Sequence, residues 1–166
     1  PNHVPPPARP AFRRSSDLLV GNRHGNQGPG SVSRFTLHPD GTFTKIGDIT
    51  GNGLSNVHQI CLNPVTGELF AGTKDTGISR FVFDANGQAI PNGFHAIGPT
   101  RGVIVGRDGE TLFVTRFSNA ILRYRLNPDG SITALSSLFP PGAINLHFMR
   151  VRFDGELYAA DINAGR

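Results

Sequence analysis

One feature constrains this chain more than any other: it repeats. An apolar strand recurs as Leu18-Leu19-Val20-Gly21, Leu69-Phe70-Ala71-Gly72, Leu112-Phe113-Val114-Thr115 and Leu157-Tyr158-Ala159-Ala160, with first residues 51, 43 and 45 apart. A second strand follows the first three, as Ser33-Arg34-Phe35, Ser79-Arg80-Phe81 and Leu122-Arg123-Tyr124. A turn comes next each time, at Asp40-Gly41, Asn86-Gly87 and Asp129-Gly130. A further strand precedes the last three apolar ones: residues 58–62 before Gly67, 102–105 before Gly109 and 148–153 before Gly155. Asp-Gly and Asn-Gly between apolar runs are strong hairpin signals, because both turn positions need φ above zero. No stretch carries an apolar 3.6-residue period with caps, so helix is not expected. Four short antiparallel strands in every 40–50 residues or so describe one blade of a β-propeller.

The predicted fold is therefore all-β, with about three and a half four-stranded blades. Residues 1–16, with Pro at 1, 5, 6, 7 and 10, read as an extended lead-in. The repeats run over about 17–56, 57–99, 100–144 and an incomplete 145–166. Closed propellers carry roughly four to eight blades, and an open arc leaves strand edges without partners. A partial ring follows, to be completed by a further segment or by a second chain.

Composition narrows the function classes. The chain has 166 residues, 17% charged, with 12 Phe, which suits one ordered domain. No apolar run approaches the roughly 20 residues of a membrane-spanning helix. The single cysteine, Cys61, excludes an internal disulfide and a cysteine-based zinc site, and is compatible with a reducing or an oxidising compartment. The net charge of +4 is spread without a block of like charge, so no nucleic-acid footprint is expected. Lys45 and Lys74 are the only lysines, and the remaining basic residues are arginines, which suit bidentate contact with carboxylate or phosphate. The nucleophile-elbow, phosphate-loop and zinc-helix motifs are missing. Glu68, Glu110 and Glu156 all begin a second strand, on the face away from the candidate site, so no cofactor is predicted. A divalent metal would have to take its oxygens from Asp75, Asp161, Asn22 or Asn163 on the rim, a thin supply.

Strands of a blade are lettered A to D outward from the axis. The A–B and C–D turns then share one face, and the B–C loops and D-to-A crossovers share the other. The turn face shows plain Pro, Asp, Asn and Gly chemistry. The opposite rim collects Asn22, Arg23, His24, Lys74, Asp75, Asn56, His58, His95, Arg101, Asn145 and His147. Loops on a rigid scaffold are where binding and catalysis concentrate, and the mouth of the central channel is concave. His58 enters strand A, nearest the axis, with Arg101 and His147 at matching places in the next two blades. Histidine moves protons near neutral pH, and arginine beside it suits an anion. Arg34, Arg80 and Arg123 share a strand-C position and read as an outward, solvated ring. The pairs Arg123/Arg125 and Arg150/Arg152 each share a strand face, the modest case for a protein or anionic partner.

Leu19-Val20-Gly21-Asn22-Arg23-His24, followed by Ser31-Val32-Ser33-Arg34-Phe35, resembles blades of the lactonase-type seven-bladed propellers. That family includes 6-phosphogluconolactonase-like proteins and carboxymuconate cyclases, with the NHL and gluconolactonase propellers as relatives. Asn56-Val57-His58-Gln59-Ile60 resembles its Pro-His strand-A motif, with Val57 in place of Pro. Thr100-Arg101-Gly102-Val103 resembles its Pro-Arg-His motif, with Gly102 where the histidine would stand. The resemblance implies a channel-mouth site for a small anionic lactone, hydrolysed or isomerised, with His58 and Arg101 catalytic. Asn22, Arg23, His24 and His147 would bind substrate. The other reading is a non-catalytic propeller, a scaffold or accessory subunit that docks a protein partner.

Overall fold

The structure, a computed structural model, describes residues 17–23 and 29–163. The described residues form thirteen strands and no helix. Strands β1 (Asp17–Asn22), β2 (Ser31–Leu37) and β3 (Phe43–Ile49) make a three-stranded sheet. Strands β4 (Val57–Leu62), β5 (Leu69–Thr73), β6 (Ile78–Phe83) and β7 (Ala89–His95) make a four-stranded one. So do β8 (Gly102–Val105), β9 (Thr111–Thr115), β10 (Ile121–Leu126) and β11 (Ile132–Leu138). Strands β12 (Leu146–Val151) and β13 (Leu157–Asp161) pair alone. Every pairing is antiparallel between chain neighbours. These are the blades of a β-propeller laid out as a partial ring.

Apolar side chains are buried between blades, so the core is a series of layers. Val32, Ile49, Val57, Leu69, Ala71 and Phe81 fill the first interval. Phe70, Ile78, Val103, Val105, Leu112 and Val114 fill the second. Ile121, Leu146 and Met149 fill the third. Strand β5 has covered neighbours on both faces and is buried at every residue. Its repeat counterpart β1 is covered on one face only, which leaves Leu18 and Val20 exposed. Small residues ending the second strand of a blade let the next inner strand come close. A Cβ on Gly21 would stand 2.9 Å from Val57, and one on Gly72 would stand 3.0 Å from Thr100. Strands β4, β8 and β12 consequently lie side by side as the inner wall.

The ring of solvated arginines expected at the strand-C position is not what forms. Arg80 is only 5% exposed. Its Nε and Nη2 meet Glu68 at 2.7 and 3.0 Å, and Nη1 reaches across to the Gly130 carbonyl in the turn of the following blade. Arg34 repeats the arrangement one blade earlier, pairing with Asp17 at 3.2 Å and donating to the Gly87 carbonyl. Both arginines join blades, and burial between blades explains why each has an acid beside it. Arg123 instead folds back onto Ser136 of its own blade and is half-buried. Of the other paired arginines, Arg152 is tied to Asp154 and Glu156 on the surface.

Candidate functional site

Three inner strands deliver one residue each to the rim. His58 is the second residue of β4, Arg101 immediately precedes β8, and His147 is the second residue of β12. Irregularities in pairing aim two of them. The β4–β5 register shifts between Val57 and Gln59, and the β12–β13 register shifts between Leu146 and Met149. Each bulge opposes an extra residue to its partner strand and turns its side chain out of the regular alternation. His58 is the extra residue in β4; His147 and Phe148 occupy the irregular step in β12. Asn56 prepares the first bulge with φ 48°, a conformation asparagine tolerates better than most residues.

The three residues come together as the repeat positions imply. Arg101 Nη1 donates to the His58 ring, 2.8 Å from Nε2 and 3.1 Å from Nδ1. The Arg101 guanidinium lies flat on Phe117, 3.3 Å from the ring centroid. Phe117 meets His147 edge-on at 5.7 Å, and Phe148 stacks toward His58 at 6.5 Å. Both phenylalanines are about half exposed, so they form open walls beside a buried floor. Arg101 is 5% exposed and His147 9%, yet Arg101 Nε and His147 Nε2 have no hydrogen-bond partner among the described residues. Buried polar atoms are almost always paired, so an orphan is a signal.

The electrostatics are one-sided. Burial, followed by the charges of Arg101, Arg23, His147 and Lys74, lowers the His58 pKa to about 4. Burial and Arg101 also lower that of His147. Arg101 itself is lowered by burial and by Arg23, with Asp75 the one group opposing. Asp75 is exposed and touches Ser55 at 3.5 Å. Both imidazoles are held below their ordinary pKa and so toward the uncharged form at neutral pH, around a guanidinium that has no carboxylate bonded to it among the described residues. Such an arrangement suits an anion chemically.

The remaining expected residues divide. Arg23 is exposed and contributes its charge to both His58 and Arg101, so it belongs to the group. Asn22 turns its amide onto Ser31 (2.9 Å) and Ser33 (2.8 Å), bracing its own blade. His24 lies outside the described residues. His95, placed on the same rim by its crossover, is on the outermost strand and contacts Arg80 at 3.2 Å. Asp161, an oxygen-rich rim residue, accepts from the Ile144, Asn145 and Asn163 backbone amides. Among the described residues no three His, Cys, Asp or Glu side chains converge as a metal site would. Phe117 and Phe148 were missed because an aromatic beside a polar loop residue looks like ordinary strand packing.

A side chain at position 102 has no room. A Cβ there would strike the His147 carbonyl and Thr115 Oγ1, and would stand 2.9 Å from Gln59 Oε1. The backbone here therefore excludes the histidine that the resembling motif carries.

No family model matches the sequence, and no curated protein matches it. Solved structures do. The chain is similar to the periplasmic gluconolactonase of Pseudomonas aeruginosa, with TM-score 0.59 and 18% identity over 91% of this chain and 52% of that one. It is similar to a putative 6-phosphogluconolactonase from Bacteroides fragilis, with TM-score 0.56 and 22% identity over 66% and 33%. It is also similar to a chain of the nidogen/laminin complex, with TM-score 0.62 and 18% identity over 89% and 54%. The chain spans about half or less of the length of these structures. They establish the β-propeller fold. A chain of the nidogen/laminin complex stands beside the two lactonase-named structures, so the fold alone assigns no activity.

Proposed function

We propose that this chain carries the anion-holding part of a lactonase-type site, which binds a small anionic lactone at the channel mouth and opens its ring. The observation behind the reading is the convergence of His58, Arg101 and His147, with buried nitrogens left unpaired and, among the described residues, no carboxylate bonded to them. Arg101, with Arg23 nearby, holds the anionic group or the carbonyl oxygen as it gains charge. His58, neutral at pH 7, takes a proton from the attacking water as the new C–O bond forms. The tetrahedral carbon then expels the ring oxygen, which recovers that proton, and a hydroxy acid leaves. Atoms balance as lactone plus water.

The test is turnover of D-glucono-δ-lactone and its 6-phosphate by the protein and by His58→Ala. The reading expects hydrolysis to disappear in the variant while the unfolding midpoint is preserved. Unchanged turnover would sink it. Binding of gluconate without turnover by the parent protein would leave the docking propeller as the better description.

A further inference from the structure

Gln59 stands beside His58 on β4, and its amide spans to β12. Its Nε2 donates to the Met149 carbonyl at 2.5 Å, and its Oε1 accepts from the Met149 amide at 3.0 Å. A glutamine side chain offers one acceptor and one donor group, as a peptide unit does. It therefore satisfies both backbone groups of Met149 as a neighbouring strand would. The span passes over β8 at Gly102, the position where a Cβ would crowd Oε1.

Met149 closes the irregular step of β12, and the rest of that step is pinned as well. The Leu146 amide donates to Ser118 at 2.9 Å, and the Thr115 hydroxyl donates to the His147 carbonyl. His147 and Phe148 are thus held between anchors on either side, and Gln59 is the anchor on the C-terminal side. Without it, the Met149 amide and carbonyl lose their partner on the inner wall, and the irregular step from Leu146 to Met149 is no longer held there, which lets Phe148 and the His147 ring move away from Arg101.

We propose that Gln59 is a positioning residue for the site: a strap across the inner wall that fixes the bulge presenting His147 and Phe148 to His58 and Arg101. This deepens the lactonase-type reading and rests on it for the ligand. The absent histidine at 102 has a physical counterpart here, since the strap occupies the space its side chain would need.

The experiment compares the parent protein with Gln59→Met, which keeps the length and removes both hydrogen bonds. Gln59→Asn, polar but one methylene too short, serves if the first does not fold. Imidazole resonances of His58, His95 and His147 are followed by NMR, and D-gluconate is titrated as the probe. The strap predicts shifted His147 resonances in the variant, an unmoved His95, and gluconate affinity reduced about tenfold or more. Unmoved His147 resonances, with only a lowered unfolding midpoint, would make Gln59 a structural brace and overturn the proposal. If the parent protein binds no gluconate, the lactone reading fails, and the His147 spectrum still decides the strap.

Discussion

Arg80 and Arg101 are equally buried, each lies near an aromatic ring and each touches a histidine, yet they do opposite things. Arg80 is saturated: Glu68 takes two of its nitrogens, the Gly130 carbonyl and His95 meet the third, and Asn92 adds a bond to Glu68 at 2.8 Å. Arg101 has a histidine and a phenyl face for company and an orphan Nε. A buried arginine that finds its acid and carbonyls inside the protein joins blades. One that lacks them among the described residues is, in the proposed reading, held for an anion. The difference comes from position: Arg80 sits between two sheets, whereas Arg101 sits where three inner strands open at the rim.

The sharpest way to break this contrast is to remove each charge in turn. Arg80→Met strands Glu68 in the interior and is expected to cost about 3–5 kcal/mol in denaturant unfolding. Arg101→Met removes a buried charge that has no acid, so stability is expected to hold or rise. Equal losses in the two variants would erase the distinction.

A smaller effect concerns pH. His58 has a folded pKa of about 4 against an ordinary value near 6.5. The unfolded chain therefore takes up a proton first as pH falls. Above about 6.5 the group contributes no difference, and between about 6.5 and 4 it progressively destabilises the fold. His58→Gln should flatten that part of the stability–pH curve. A bound anion opposes the same repulsion, so gluconate binding is expected to take up protons in this window, measurable calorimetrically in buffers of different ionisation enthalpy. The smallest effect belongs to Arg123→Gln: a half-buried arginine bonded within its own blade, with no acid beside it in those bonds, should shift stability by no more than about 0.5 kcal/mol. A loss like that of Arg80 would show that its repeat position matters more than its surroundings.

The blades were readable because turn chemistry and apolar strands recur with little change. The pairing of His58 with Arg101 was readable for the same reason, since both begin an inner strand. The arginines at the strand-C position show where repetition misleads. Arg34, Arg80 and Arg123 are equivalent by position, but whether one is buried depends on the blade packed beyond it. The bulges at His58 and at His147–Phe148 depend on pairing between strands, which no local pattern announces. The role of Gln59 depends on Met149, 90 residues away, and on a glycine at 102 whose meaning lies in what fills its space.

The most direct measurement is an NMR titration of the protein with D-gluconate, reading the imidazole signals of His58, His147 and His95 together. The account predicts saturable shifts at His58 and His147, loss of those shifts in Arg101→Met, and no response at His95 beside the saturated Arg80. Equal, non-saturating shifts at all three histidines, or saturation untouched by Arg101→Met, would contradict it.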